Sequence, residues 1–481
     1  MKQTLPGLVV FLGSFLVFGV QPVMGRTLLP LFGGIATVWV VCLAVFQTLS
    51  LAGYSYAHLL SRASVPDAAA KKLQGALLAL SLLLTVALVG LRGRLAAWAG
   101  GSPYPVLQEV ALICAFVGLP YVLLSANGIL VQAWLSRFRE QKVYRLYAVS
   151  NAGSFCGLLV YPFVLEPWVS LTAQWAGFAV LLALYTALLF FLPHDRGGAP
   201  PPGRDGAARG AGRLGLGVRV LWVALPASSC FVLNAVTTHL SEEILPIPLL
   251  WIALLALFLL SYVFGFSKKG EGAVEWLCVL TLIPLFGCAH ALGGQDANTG
   301  FVKNLAFGLL LVLLGSTFIH SWLCRLRPHV GELTAFYMSL SAGGAAGGIL
   351  AGVVAPVLFK TVFEYPLSLM LVGLLACCFA RSRPPAESGR RMALGVYGGV
   401  LVCLAVAMAG LLSPAKGRRV LQRARNFYAC MRVEKAEFVS DYGEVVESHH
   451  LMHGNVTHGY QFLPHYLRKK PTAYFGPHGG G

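Results

Sequence analysis

The chain has 481 residues, 57% of them hydrophobic and 11% charged, with a mean hydropathy of +0.72 and a formal net charge of +17. Soluble globular chains carry about 25% charged residues, so this one has too little polar surface to face water all round. It is expected to be an all-α polytopic protein whose main partner is the lipid bilayer. Its basic residues then report loop orientation and contact with anionic lipid, and without an aromatic-interleaved basic strand no nucleic-acid partner is expected.

A bilayer-spanning helix needs about 20 apolar residues. Thirteen runs meet that length, near 5–25, 35–60, 73–92, 105–135, 144–165, 170–193, 218–240, 246–267, 274–293, 301–324, 330–359, 363–381 and 392–412. The first has a basic start like a signal peptide, but no A-x-A-like site follows, so it reads as an uncleaved span. The fourth is long and carries Pro120, which predicts a kink or a strong tilt. Residues 194–217 are rich in Gly, Pro and Arg and form a flexible loop between a first membrane half, 1–193, and a second, 218–412. Residues 413–481 form a soluble β-rich tail. Cysteines such as Cys42, Cys114, Cys230 and Cys288 sit in apolar runs without ligand-like spacing and read as small buried hydrophobes, so no metal is assigned.

Lysine and arginine crowd one alternate set of loops, as at Arg62, Lys71, Lys72, Arg137, Arg139, Lys142 and Arg145, and thin out in the other, at Arg26, Arg92, Arg94, Lys303 and Lys360. By the positive-inside rule the first set, and with it the N-terminus, is cytoplasmic. Thirteen spans then export the tail, although the tail opens with Lys416, Arg418, Arg419, Arg423 and Arg425, which the same rule wants inside. Either one span is miscounted, with 105–135 and 392–412 the suspects, or the tail is exported.

An internal echo joins the halves. "WLSRFREQKVYRLYAVSNAGSFCG" from Trp134 is matched by "WLCRLRPHVGELTAFYMSLSAGGAAGG" from Trp322, and Ala152-Gly153 falls against Ala342-Gly343. Both copies enter the fifth helix of their half from the same side, a parallel repeat of the kind found in major-facilitator-like folds.

Polar residues inside spans are costly and mark candidate sites. Gln21, Arg26, Gln47 and His58 lie in the first two spans, Glu109, Gln132, Asn127 and Asn151 in the fourth and fifth, and His239 in the seventh, followed by Glu242 and Glu243. A polar set drawn from both halves suits a carrier or a membrane sensor. The competing reading has Arg26 snorkelling to the interface, the amides bridging helices, and Glu242 and Glu243 solvated in a loop. His290 and His320, alone on apolar runs, read as core histidines. Gly343, Gly344, Gly347, Gly348 and Gly352 are spaced for close helix packing. In the tail, "ESHHLMHGNVTHGYQFL" alternates like a β-hairpin about a Gly-Asn turn, which sends its imidazoles to both faces and away from a common metal.

Several blocks resemble the fused major-facilitator-like/spermidine synthase-like membrane proteins of bacteria. They are "QPVMGRTLLPLFGGIATVWVVCLAVFQTLSLAGYSYAH", "LYAVSNAGSFCGLLVYPFVLEP", "GELTAFYMSLSAGGAAGG", "APVLFKTVFEYPL", and in the tail "ARNFYACMRV" and "LMHGNVTHGYQFL" with "PTAYFGP". The resemblance implies an inner-membrane protein with two six-helix halves and a tail similar to the small β-domain that precedes a synthase-like domain. His453, His458, Gln461 and Tyr474 match that segment's pattern. A decarboxylated S-adenosylmethionine-type donor would belong to the nucleotide-binding domain into which the family continues, and "GPHGGG" stops short of it, so no aminopropyl transfer is expected of this chain alone. Three functions stay open. The chain anchors or supplies a synthase-like domain encoded separately, carries a small cationic or amphiphilic solute, or serves as a non-catalytic subunit packed against other membrane proteins.

Overall fold

The computed structural model describes residues 5–33, 36–62, 67–91, 104–136, 143–192, 215–243, 248–292, 297–328, 333–382, 387–412, 419–426, 429–439, 445–454 and 456–472. Each of the thirteen apolar runs becomes a helix or a stack of collinear helical segments. Eleven are long and apolar enough to cross a membrane, and Leu249–Gly265 and Arg391–Ala407 are shorter apolar helices. The first half comprises α1 (Leu5–Phe32), α2 (Ala36–Arg62), α3 (Asp67–Gly90), α4 (Pro105–Ile113 continuing through Leu119–Ser136), α5 (Val143–Val160 through Glu166–Trp168) and α6 (Leu171–Phe190). The second comprises α7 (Leu216–Glu243), α8 (Pro248–Gly265), α9 (Val274–Leu280 with Leu282–Ala291), α10 (Ala297–Leu310 through Ser316–Arg325), α11 (Leu333–Ile349 through Ala355–Leu358) and α12 (Glu364–Arg381). The additional helix α13 (Glu387–Leu412) packs on α9 and α12.

The long fourth run is one helix. It loosens into a π-helical turn at Cys114–Gly118 just before Pro120. Proline has no N–H for the carbonyl four residues back, so Phe116 O is released from the helix ladder. Thr85 Oγ1 on α3 donates to that carbonyl at 3.3 Å, a repair by a neighbouring helix that hydrocarbon requires.

The glycines of the internal echo do the same work in both halves. On α5, Gly153 and Gly157 lie against the Phe11 and Phe15 carbonyls of α1, and on α11, Gly343 and Gly347 lie against the Val223 and Ala227 carbonyls of α7. A methyl group at any of the four would overlap backbone atoms, so only glycine lets these helix pairs approach so closely. Gly348 and Gly352 face the other way, onto Gln47, Ala44 and Val40 of α2, and so join the two halves, while Gly344 meets only Cys230 Sγ, at an ordinary contact distance.

The tail is a four-stranded antiparallel sheet in the order β1 (Arg419–Arg425), β2 (Cys430–Val439), β3 (Val445–His453), β4 (Val456–Phe462). The hairpin expected from the sequence is β3–β4, with Gly454 in the left-handed region at φ 53°. The first two strands extend it, because β2 offers a full register to β3, from Met431 opposite His453 to Val439 opposite Val445. Ala436, Val446, Ser448 and Met452 form its buried side.

The sheet is fastened to the second half. Arg425 pairs with Glu364 at the start of α12 through two bonds, Nη2–Oε1 at 2.6 Å and Nη1–Oε2 at 3.0 Å, and Nη1 also donates to Thr361 O at 2.8 Å. His453 Nε2 lies 3.0 Å from Glu242 Oε2 at the end of α7, and Cys430 Sγ donates to Lys360 O. With the helices alternating in direction, the ends of α1, α7 and α11 and the start of α12 share one face. The sheet and α13's end belong to that face, opposite the start of α1, so the count of thirteen and the tail's contacts agree. Arg425, one of the tail cations at odds with the charge rule, is consumed in a buried ion pair.

Candidate functional site

A cavity of about 300 Å3 opens between the halves. The first half contributes Ser14, Phe18 and Gln21 from α1, Phe46, Gln47, Ser50 and Tyr54 from α2, Tyr121 and Ser125 from α4, and Ser150, Asn151 and Ser154 from α5. The second adds Cys230 from α7, Phe258 and Tyr262 from α8, and Tyr337, Ser341 and Gly344 from α11. Among the described residues no charged side chain lines it. The walls carry hydroxyls, phenols and three amides set among aromatic and aliphatic surfaces, which suits hydrogen bonding to a neutral polar molecule with an apolar face.

Part of this polarity is already paired. Gln21 Nε2 donates to Tyr121 Oη at 3.1 Å and to Val17 O at 3.3 Å, and Ser50 Oγ donates to the same phenol at 3.4 Å. Ser14 and Ser150 hydroxyls bridge α1 and α5 at 2.7 Å. Gln47 Oε1 is buried against Gly348 of α11 and has no hydrogen-bond partner among the described residues.

The cavity lies from mid-membrane toward the face where α1 starts, since its α5 and α11 residues come from the first halves of those helices. Toward the other face the halves meet. Trp39, near the start of α2, packs on Trp251, near the start of α8, with ring centroids 4.7 Å apart and the rings tilted by 35°. Each tryptophan is the fourth residue of its helix, so equivalent positions of the two halves meet. The Trp39 ring lies over Gly25 of α1, where a side chain would displace it.

Of the eight candidate cleft residues, the cavity gathers Gln21, Gln47 and Asn151. Asn127 is buried and donates to Val9 O at 3.4 Å, an amide bridging helices. Arg26 donates to Glu166 O at 3.2 Å near the end of α5, and His58 is buried away from the cavity. His239 stacks on Tyr365 at 3.7 Å, joining α7 to α12 beneath the sheet. Glu109 is buried, and its Oε1 accepts from the Cys42 thiol. His320 is a satisfied core histidine between Ser261 (3.0 Å) and Ser229 (3.1 Å), stacked on Tyr262 of the cavity wall, whereas His290 is exposed. Among the tail candidates His453 holds the sheet to α7, His458 stacks on His453 at 5.6 Å, and Gln461 is exposed with a bond to Arg468 O. Tyr474 lies outside the described residues.

The crystal structure of a D-xylose-proton symporter superposes with a TM-score of 0.54 and 15% identity, covering 80% of this chain and 99% of that one. The fold is of the major-facilitator type. The inward-open xylose transporter XylE from E. coli superposes with a TM-score of 0.51 and 15% identity over 81% of this chain and 98% of that one. No protein-family model matches the chain, and no curated protein matches it in sequence. This major-facilitator-type chain is thus a multi-pass membrane protein with a polar cavity between its halves. The missed cavity residues are chiefly serines and tyrosines, and their signal was hydroxyls recurring within apolar runs, as in "GYSYAH".

Proposed function

We propose that this protein is a carrier of a small neutral polar solute, a polyol or monosaccharide by size and chemistry, in the inner membrane of a bacterium. The observation that carries this reading is the uncharged, hydroxyl- and amide-lined cavity between two halves of a carrier fold. A volume of about 300 Å3 stands at the low end for ligand pockets, which limits the solute to roughly one ring. The absence of a carboxylate among the described lining residues weighs against a polyamine, because a buried cation needs a counter-charge. The excess of Lys and Arg in the loops on the face where α1 starts supports a cytoplasmic position for that face, and with it an inward-facing cavity and an external sheet. Uptake into proteoliposomes and thermal stabilisation, measured with pentoses, hexoses, polyols and polyamines, test the reading. Neutral solutes should be transported and polyamines should not, and a response to polyamines alone would overturn it.

The docked four-stranded sheet favours a second reading, in which the tail presents a spermidine synthase-like domain at the membrane. Copurification of an aminopropyl-transferring partner with the full chain supports it, and loss of that copurification on disrupting the Arg425–Glu364 pair is its check.

A further inference from the structure

Two helices of the cavity wall change geometry at matched places. α5 loosens into a π-helical turn at Tyr161–Leu165, eight residues after Gly153, and α11 into one at Leu350–Val354, seven after Gly343. Pro162 lies inside the first turn and Pro356 two residues after the second, so each ladder lacks an N–H there and the helix bends at low cost. The cavity residues of both helices precede the turns, and the tips Glu166–Trp168 and Ala355–Leu358 follow them at the sheet-side face.

An arginine holds the chain beyond each turn. In the first half it is Arg26 of α1, bonded to Glu166 O at 3.2 Å. The glycine contacts make Phe11 and Phe15 of α1 equivalent to Val223 and Ala227 of α7, and the same register makes Arg26 equivalent to Thr238, which has no charge to offer. The second half takes its arginine from the tail. Arg425 donates to Thr361 O at 2.8 Å and pairs with Glu364, Cys430 donates to Lys360 O, and His453 ties the sheet back to Glu242 of α7.

The turn so restrained lies against the contact that closes this face. Gly352, at its centre, abuts Val40 of α2, the residue after Trp39, which packs on Trp251. A bend of α11 away from α2 would carry Lys360, Thr361 and Glu364 with it. It would either break their bonds to the sheet or pull the sheet from α7.

Resting on the carrier reading for the solute path, we propose that the docked sheet is a strap on the sheet-side gate. It holds the end of α11 to α7, opposes the bend that frees Trp39 from Trp251, and lets that face open when it undocks. By linkage, contacts made only with the face closed favour the closed face by their own free energy.

Hydrogen–deuterium exchange of the full chain in lipid nanodiscs, resolved by peptide, tests this without a solute. In Arg425→Ala, exchange should rise at least about tenfold, the factor that one lost charge-assisted hydrogen bond implies, in α11 beyond Gly348 and at the starts of α2 and α8. His453→Ala, which cuts only the tie to α7, should give the same pattern more weakly, and Arg425→Met/Glu364→Leu, which strands no charge, should return it toward the parent. Faster exchange confined to residues 359–364, with the starts of α2 and α8 unchanged in both single variants, overturns the inference. If the carrier reading alone fails, no solute moves in any variant and the faster exchange still reaches α2, whereas solute movement with the change confined to residues 359–364 refutes the strap alone.

Discussion

Replacing Arg425 by alanine removes the cation from a pair that is nearly sealed from water, with the Arg425 side chain 6% and the Glu364 side chain 0% exposed. Breaking a buried pair by removing one partner costs about 3–5 kcal/mol, because the remaining charge is stranded. The sheet has two further ties, His453 to Glu242 and Cys430 to Lys360, so the loss falls on docking and leaves the internal ladder of the sheet intact. At about 1.4 kcal/mol per decade, the undocked population should rise at least a hundredfold. Cys430 reports it, since burial pushes this thiol up from its ordinary value, Glu242 pushes it further, and Arg425 opposes the rise. The two outcomes have opposite signs. If the sheet stays docked without Arg425, the thiol rises further and alkylates more slowly. If it undocks, the thiol meets water and alkylates faster. Peptide-resolved alkylation of the full chain in lipid should show the faster reaction for Arg425→Ala and a return toward the parent rate in Arg425→Met/Glu364→Leu, where no charge is stranded. Slower alkylation in the single variant, or a double variant as fast as the single one, refutes the reasoning.

The same thiol sets a pH dependence. Its docked value is raised, so its contribution to docking is present below the ordinary thiol value, about 8.5, and is lost as pH rises through the raised value, which Cys430→Ser should abolish in a proteolysis assay of the tail. Gly157→Val and Gly347→Val each drive a branched side chain into a backbone carbonyl of the partner helix, and both should lose the folded, monodisperse peak in detergent, while Gly177→Ala, which meets open space, should retain it. Thr85→Val strands Phe116 O beside Pro120 and should cost about 1 kcal/mol, read as a lower unfolding midpoint. Asn151→Leu should weaken solute binding roughly tenfold, at about 1.5 kcal/mol per lost hydrogen bond, with the unfolding midpoint of the solute-free protein little changed, whereas Tyr121→Phe also removes the acceptor of Gln21 and Ser50 and should lower that midpoint as well.

The helices were legible because hydrocarbon imposes one strong rule: a spanning segment satisfies its own backbone and shows lipid an apolar surface. Thirteen apolar runs could hardly become anything else. The glycine echo was legible for a related reason, since close approach of two backbones excludes every side chain, and the demand recurs at Gly153/Gly157 and Gly343/Gly347. The sheet was half legible. Alternation marked β3 and β4, whereas β1 and β2 were marked only by the family resemblance, and their pairing becomes visible in the structure, where β2 lies on β3, Lys435 meets Glu447 and Arg425 meets Glu364.

The cavity was the least legible part, and the reason is physical. Polarity inside a membrane chain is a sum of two uses, holding helices together and meeting a solute, and single residues do not announce which. Charge was the poorer guide: Arg26 and Glu109 stand apart from the cavity, the first bonded to a helix end and the second buried beside a thiol. Amides divided, with Gln21, Gln47 and Asn151 at the wall and Asn127 spent on a backbone carbonyl. Hydroxyls cost little to bury, because a serine or threonine bonds to its own helix, as Ser228, Thr237 and Ser339 do. They attract no notice in a sequence, and they become a site only where helices from both halves bring several to one hollow. A buried charged solute would need a counter-charge that this wall does not hold, and for that reason the proposed substrate class rests on the uncharged wall as a whole rather than on any single residue.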